Sequence, residues 1–283
     1  MSSEKHIEKL LGEKIKNVLM LGGGCIGNAR KIETVSGRIL FVKSYSDTNK
    51  FIIRNEANGL KELRKANAIK VPDVIALNDE ILILEYIEIG KRQNNFSELF
   101  GIQLAKLHKY YTEYFGFYEN NFIGATPQIN INRTKNWSEF YWTERLLFQF
   151  RLAESKNLVN DKLRKCFLEF EKIYPKIIEG TEEKPSLIHG DLWNGNFMVS
   201  VNGKPVLIDP AVYYGHREAE LGMTFLFGGF DRVFYEAYNI EYPLITGWQE
   251  RIPLYKLYHV LNHMNLFGTS YLSQAIEIIK KYC

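Results

Sequence analysis

The spacing of apolar residues changes once along this chain, near Gly90, and that change constrains the fold more than any other feature. Before it the apolar runs are short and strand-like, at 17–21, 29–35, 39–44, 74–77 and 81–86, with Ser36-Gly37 and Asn78-Asp79 as turn-forming pairs between them. Two helices are expected among these strands. One is short and amphipathic, over 6–11; the other runs over about 50–66, where Ile53, Ala57 and Leu60 recur at helical spacing. After Gly90 the pattern predicts helices over 96–111, 137–155, 161–178, 217–225, 231–238, 253–267 and 271–282. The exception is a pair of strands, 197–201 and 206–209, joined around Asn202-Gly203, a dipeptide that favours tight hairpins. The expected architecture is α+β: an antiparallel sheet lobe with one helix after its third strand (1–88), then a larger, mainly helical lobe (89–283).

A chain of 283 residues, 46% of them apolar, supplies enough core for both lobes. The 36 basic and 33 acidic residues leave a formal charge of +3, too small to predict nucleic acid or an anionic membrane as partner. The first nineteen residues interleave Glu4, Lys5, Glu8, Lys9, Glu13, Lys14 and Lys16 with apolar ones, so no signal peptide is expected. No run reaches the ~18 apolar residues of a membrane span. Cys25, Cys166 and Cys283 are widely spaced and lack metal-ligand spacing, which fits free thiols in a reducing compartment; a cytoplasmic protein is expected. No repeat or long linker interrupts the chain, so any boundary is a short hinge, and composition does not fix the oligomeric state.

The chemistry concentrates in His189-Gly190-Asp191-Leu192-Trp193-Asn194-Gly195-Asn196. An Asp followed five residues later by an Asn has the spacing of a kinase catalytic loop, in which the carboxylate takes the proton of an attacking hydroxyl and the amide holds magnesium. The hairpin then returns the chain to Asp209, at the end of an apolar strand, where a second carboxylate can reach the same Mg2+. Asp191 is thus the expected catalytic base, and Asn196 and Asp209 the expected metal ligands. Upstream, Leu21-Gly22-Gly23-Gly24-Cys25-Ile26-Gly27 lies between two predicted strands, where the bare amides of Gly22, Gly23 and Gly24 can approach the phosphates of ATP. A plain hairpin turn has the same composition, so the glycines carry weight only beside their neighbours. Lys43 ends an apolar strand and is expected to meet ATP phosphates and Glu56 of the following helix; an edge-strand lysine reaching for water is also consistent. Glu85, Tyr86 and Ile87 close the last strand of the small lobe, where a hinge offers backbone groups to adenine.

Two departures narrow the class. Gly190 stands where protein kinases carry an arginine before the catalytic Asp, and Asp209 is followed by Pro210-Ala211 rather than Phe-Gly. No Ala-Pro-Glu follows, so an arginine reading activation-loop phosphate is missing, and a small-molecule substrate is expected. The chain resembles the bilobal, protein-kinase-like phosphotransferases that include aminoglycoside and choline kinases, and more closely the fructosamine/ketosamine 3-kinase family. The closer resemblance rests on 189–196 with Trp193 beside the base, on Asp209-Pro210-Ala211-Val212-Tyr213-Tyr214-Gly215-His216-Arg217-Glu218, on Leu226-Phe227-Gly228-Gly229-Phe230 and on the stretch 254–263. Shorter likenesses at 104–108, 115–117 and 121–128 extend it over most of the chain. It implies ATP-dependent phosphorylation of the 3-hydroxyl of ketoamines, free or protein-bound, followed by release of the amine and hence protein deglycation. Glu220, where many relatives have Asp, and Thr224-Phe225-Leu226 in place of Thr-Glu-Leu depart from the family pattern. A kinase for choline, an aminoglycoside or another sugar, and a nucleotide-binding pseudokinase, remain alternatives. The preferred ketoamine among ribulosamine, erythrulosamine and fructosamine stays open.

Trp193, Tyr214 and His216 are candidates for substrate contact because they flank the motifs, although aromatics make up 14% of the chain and most sit at spacings that suit core packing. His108, His259 and His263 lack metal-ligand spacing and are expected to serve structural hydrogen bonds. Cys25, inside the glycine loop and near phosphate-binding amides, is a redox candidate; a small residue that fits a tight loop is the alternative.

Overall fold

The computed structural model describes residues 3–22, 28–45 and 50–283. Strands β1 (Ile15–Leu21), β2 (Asn28–Thr34), β3 (Ile39–Ser44), β4 (Val74–Leu77) and β5 (Ile81–Glu85) form one antiparallel sheet in the order β1-β2-β3-β5-β4. Helices α1 (Ser3–Leu11) and α2 (Lys50–Lys65) cover its two faces. Strand alternation decides what each helix receives. Leu40, Val42, Ile81 and Ile83 pack with Ile7 of α1, while Leu82 and Leu84 pack with Ile53, Ala57 and Leu60 of α2. Lys43, one residue on from Val42, therefore points to the α2 side of the sheet.

The helical part contains α3 (Phe96–His108), α4 (Trp137–Tyr141), α5 (Phe148–Ser155), α6 (Asp161–Ile177), α7 (Arg217–Thr224), α8 (Arg232–Glu241), α9 (Trp248–Phe267) and α10 (Leu272–Ile279). Helices α4 and α5 are one rod, joined by a π-helical turn over Trp142–Leu147. Three short ladders complete the fold: β6 (Asn121–Ile123) with β7 (Thr126–Gln128), β8 (Ser186–Ile188) with β11 (Tyr213–Gly215), and β9 (Phe197–Val199) with β10 (Pro205–Leu207). Strands β8 and β11 clamp the two ends of 189–212, so that stretch is a closed excursion from a paired base.

Two strips of backbone join the sheet to the helical part. The Val201 N–H donates to Glu88 O (2.7 Å), and Gly90 N–H to Val199 O (2.9 Å). Leu207 N–H donates to Lys70 O (2.9 Å). The hairpin β9–β10 is thereby bonded along both its strands, to Lys70 on one and to the Glu88–Gly90 stretch on the other.

The structure departs from the sequence expectations in three places. Helix α9 begins at Trp248, five residues before the expected start, and carries Pro253 inside; the early turns tolerate a missing N–H, which makes proline a poor boundary marker there. The strands β6, β7, β8 and β11 were not expected, since three residues are too few to show alternation. The π-turn serves Arg145, which is fully buried. Its guanidinium donates to Ile129 O (2.7 Å), Asn130 Oδ1 (2.6 Å) and Glu144 O (3.0 Å) and lies over the rings of Tyr213 (4.0 Å) and Phe140 (4.7 Å).

Candidate active site

Between the sheet and the helical part lie two adjoining cavities of about 580 and 270 Å3, which share Lys43, Glu56 and Asp209 as a common wall. The larger holds Asp191, Trp193 and Asn196 as well. The smaller is a slot lined by Leu84, Glu85, Tyr86, Ile87 and Gly22, with Met198 and Ile208 from the other side. Glu85 turns its carboxylate away, onto Lys70 Nζ (2.5 Å) and the Asp73 N–H (3.1 Å), so it presents backbone to the slot. The Tyr86 ring lies beneath Lys31, 4.4 Å from its ammonium.

At the shared wall, Lys43 Nζ donates to Glu56 Oε1 (2.7 Å) and to Asp209 Oδ1, while the Tyr45 hydroxyl donates to Glu56 Oε2 (2.8 Å). Burial disfavours the charged lysine, but Glu56 and then Asp209 outweigh it and hold the Lys43 pKa above its ordinary value. Burial raises the Glu56 pKa, and Lys43 pulls it back. Tyr45 was missed by the sequence reading; its signal is its place two residues after Lys43, which puts both on one face of an extended segment.

Asp191 leaves the base formed by β8 and β11 through a left-handed turn at Gly190. Gly190 has φ +83°, and a Cβ there would lie 2.0 Å from Ala211 O. This close crossing, sealed by Ala211 N–H donating to His189 O (2.9 Å), explains why glycine replaces the arginine of protein kinases. Burial pushes the Asp191 carboxyl well above the usual carboxylate range; Asn196 Nδ2, donating to Asp191 Oδ2 (2.9 Å) and to its backbone O (2.8 Å), opposes that, while Glu220 and Asp209 reinforce it. Asp209 itself has φ +54°, an uncommon left-handed conformation for a side chain at the mouth of a cleft.

The loop is held from behind by Glu220 of α7, which is 1% exposed and accepts from the backbone N–H of His189 and of Gly190 (3.2 Å). His189 donates through Nε2 to Ile208 O (2.8 Å) and accepts from the Asp191 N–H at Nδ1 (3.3 Å); burial lowers its pKa, which keeps it neutral. Glu220 is thus a positioning residue that the sequence marked only as a departure from a family pattern.

Lys43, Glu56, Asp191, Trp193, Asn196 and Asp209 therefore meet at one cavity, and Gly22, Glu85, Tyr86 and Ile87 line the slot beside it. Gly23, Gly24 and Cys25 lie outside the described residues. Two substrate candidates need correction. His216 is fully buried as the N-cap of α7, with Nε2 on Thr181 O (2.8 Å) and Nδ1 accepting from the Glu218 N–H (3.2 Å), so it is sealed from any ligand. Tyr214 does not line the cavities; its hydroxyl donates to Glu62 Oε1 (2.8 Å) and its ring faces Tyr110. The buried His108 serves structure as expected, bonding the Tyr238 hydroxyl (2.6 Å).

No cluster of three or more His, Cys, Asp or Glu side chains fit to hold a metal occurs among the described residues. A mixed pair of hard oxygens does. Asn196 directs its amide N–H groups at Asp191, which turns its oxygen the other way, and the Asp209 carboxylate stands exposed in the same cavity. Carboxylate and amide oxygens suit magnesium, which keeps most of its waters and takes few protein ligands.

A five-stranded antiparallel sheet, a helical part behind it and a paired Asp–Asn loop facing a lysine across the cleft define a kinase-like phosphotransferase. An aminoglycoside phosphotransferase solved with ADP shares this fold at a TM-score of 0.66, with 15% identity over 99% of this chain and 98% of that one. The sequence model of the family described as fructosamine kinase matches residues 1–283, and the chain belongs to that family. A chloroplastic protein-ribulosamine 3-kinase of Oryza sativa subsp. indica is 40% identical over 279 residues, 95% of this chain and 79% of the relative. The ketosamine-3-kinase of Mus musculus is 32% identical, covering 92% of each chain. A candidate fructosamine-3-kinase from Thermobifida fusca superposes at a TM-score of 0.91, with 32% identity over 99% of this chain and 98% of that one.

Proposed function

We propose that this protein is an ATP-dependent ketosamine 3-kinase that phosphorylates the 3-hydroxyl of sugar–amine ketoamines and so leads to deglycation of the amine. The observation that carries the reading is the convergence of Asp191, Asn196, Asp209 and Lys43 on one cavity in a chain that the family matches throughout. ATP enters with its adenine in the slot between Leu84–Ile87 and Met198, and its phosphates toward Gly22 and Lys43. Asp191 orients the substrate hydroxyl and accepts its proton as the oxygen attacks the terminal phosphorus, the bond from that phosphorus to the bridging oxygen breaks and ADP leaves. Asn196 keeps that carboxylate turned and opposes the rise in its pKa that burial causes, and Glu220 fixes the backbone that carries it. Asp209 and Asn196 are the residues that would hold Mg2+, whose charge, when bound, screens the transferring phosphoryl group. Lys43, poised by Glu56 and Tyr45, completes the cationic side of the site. A cytoplasmic setting and a boundary between lobes near residue 88 belong to the same reading; Glu88 and Gly90 bond directly to the β9–β10 hairpin of the large lobe.

The test is a panel of synthetic ketoamines of lysine built on erythrulose, ribulose and fructose, with choline, an aminoglycoside and free sugars beside them, scored by ATP consumption and by the phosphorylated product. Turnover on the ketoamines alone supports the reading. Turnover confined to choline, the aminoglycoside or a free sugar replaces it, and ATP binding without turnover on any acceptor makes the protein a pseudokinase.

A further inference from the structure

Three consecutive residues after α7, Phe227, Gly228 and Gly229, have φ of +54°, +97° and +75°. Glycine adopts this left-handed backbone freely, whereas phenylalanine does so only under constraint. The neighbouring side chains pack inward: Phe225 stacks on Tyr235 (4.2 Å, 14°), Leu226 is 5% exposed, and Phe230 meets Phe234 (4.8 Å). Phe227 is turned the other way and stays 48% exposed. A large apolar side chain is thus held in a disfavoured conformation for little burial, and such strain is characteristic of a residue kept for a ligand.

What Phe227 faces says which ligand. Its ring meets Trp193 at 5.6 Å and 62°, making a corner of two aromatic faces, and Trp193 lines the large cavity with Asp191 two residues away. The corner cannot collapse into the loop, because the Trp193 indole already lies against Gly195, where a Cβ would be 2.4 Å from it. Behind Phe227, the His263 ring closes the outer side at 5.2 Å. In a ketoamine the nitrogen sits on the second carbon along from the one bearing the reacting hydroxyl, and as a secondary amine it is protonated at neutral pH. A hydroxyl delivered to Asp191 therefore brings a cation to the aromatic corner beside it. Aromatic faces attract such a cation through their quadrupole.

We propose that Phe227 is a specificity-determining residue that, with Trp193, receives the protonated amine of the ketoamine; this rests on the ketosamine-kinase reading above. The left-handed backbone is what holds the ring against Trp193, so Phe227→Gly both removes the ring and relaxes the backbone.

The experiment compares the wild type with Phe227→Gly and Phe227→Leu. It reads KM for a lysine ketoamine, KM for ATP, thermal stability, and the inhibition constant of the matching N-acylated, uncharged adduct. Expected is a 3- to 30-fold rise in ketoamine KM in both variants, with the neutral adduct bound about as before, KM for ATP unchanged, and stability of Phe227→Gly equal or higher. Unchanged ketoamine KM overturns the inference. So does equal weakening of charged and neutral adducts, which would mean a shape contact, or a joint loss of stability and ATP affinity, which would mean packing. A wild type inert on every ketoamine overturns the functional reading and this inference with it, whereas an active wild type with indifferent variants overturns the inference alone.

Discussion

Asp191 and its partners illustrate how much of this site is decided atom by atom. The carboxyl is raised chiefly by burial and held down chiefly by one amide, Asn196 Nδ2. A base must be ionised to act, and a raised pKa means that the proton is regained at higher pH as the solution is acidified. The acid limb of kcat/KM for the free enzyme is therefore expected above the ~3.9 of an unperturbed aspartate. Replacing Asn196 with Ala should move that limb further up and raise the magnesium concentration needed for half-maximal rate, with partial rescue by excess metal; pH profiles at two metal concentrations check both. Asp191→Asn should lower kcat by ~10²–10⁴-fold while the ATP dissociation constant holds, and a variant keeping more than a tenth of wild-type turnover would sink the assignment of the base. These residues were legible in the sequence because the catalytic geometry demands fixed local spacings: five residues from Asp to Asn, and a hairpin's length to the second carboxylate. His216 and Tyr214 were misplaced because spacing says that a residue is near the loop, not which way the chain turns it. The ring of His216 goes inward as a helix cap, and Tyr214 points off β11 to Glu62 of α2.

At the scale of elements, long periodic helices were readable and short or irregular ones were not. Helices α3 and α6 start where expected, since each presents several turns of apolar spacing. The ladder β8–β11 could not be seen, yet it sets the pitch of the catalytic excursion, and its partner in that task is α7 through Glu220. Glu220→Gln replaces one of two accepting oxygens with a donor facing two backbone N–H groups. Misplacement of Asp191 should lower kcat up to about 100-fold with little change in KM for ATP. Steady-state kinetics alongside a circular dichroism spectrum separates this from unfolding. The π-turn makes a second element-level case. Without Arg145, Ile129 O and Asn130 Oδ1 lose their buried donors and two aromatic faces lose their cation, so Arg145→Met should destabilise the protein by about 2–4 kcal/mol. Urea unfolding gives the number directly, and a loss under 1 kcal/mol would mean that water or a neighbour replaces the arginine.

For the whole molecule, the two lobes are coupled at three levels: the backbone strips at the hairpin, the ion triad of Lys43, Glu56 and Asp209, and a polar seam where Asn55 Nδ2 reaches Asn120 O (3.1 Å) and Asn58 Nδ2 reaches Glu119 Oε1 (3.0 Å). The seam ties α2, which carries Glu56, to the helical part ahead of β6, so nucleotide contacts and the acceptor side share one helix. Of this coupling the sequence showed only the pairing of Lys43 with Glu56, because the other ties join residues far apart in the chain. Among the described residues no helix is long and apolar enough to cross a membrane. The crossing at Gly190 reaches furthest beyond the molecule itself. A side chain there meets Ala211 O, and Gly190→Ala should destabilise by about 2–5 kcal/mol through strained φ and overpacking combined, a loss that thermal denaturation will register or deny. An arginine at that position is one nucleotide change away for many glycine codons, but it is not one step away for this backbone. A single carbonyl oxygen thus closes this backbone to the simplest mutational path toward control by a phosphorylated loop.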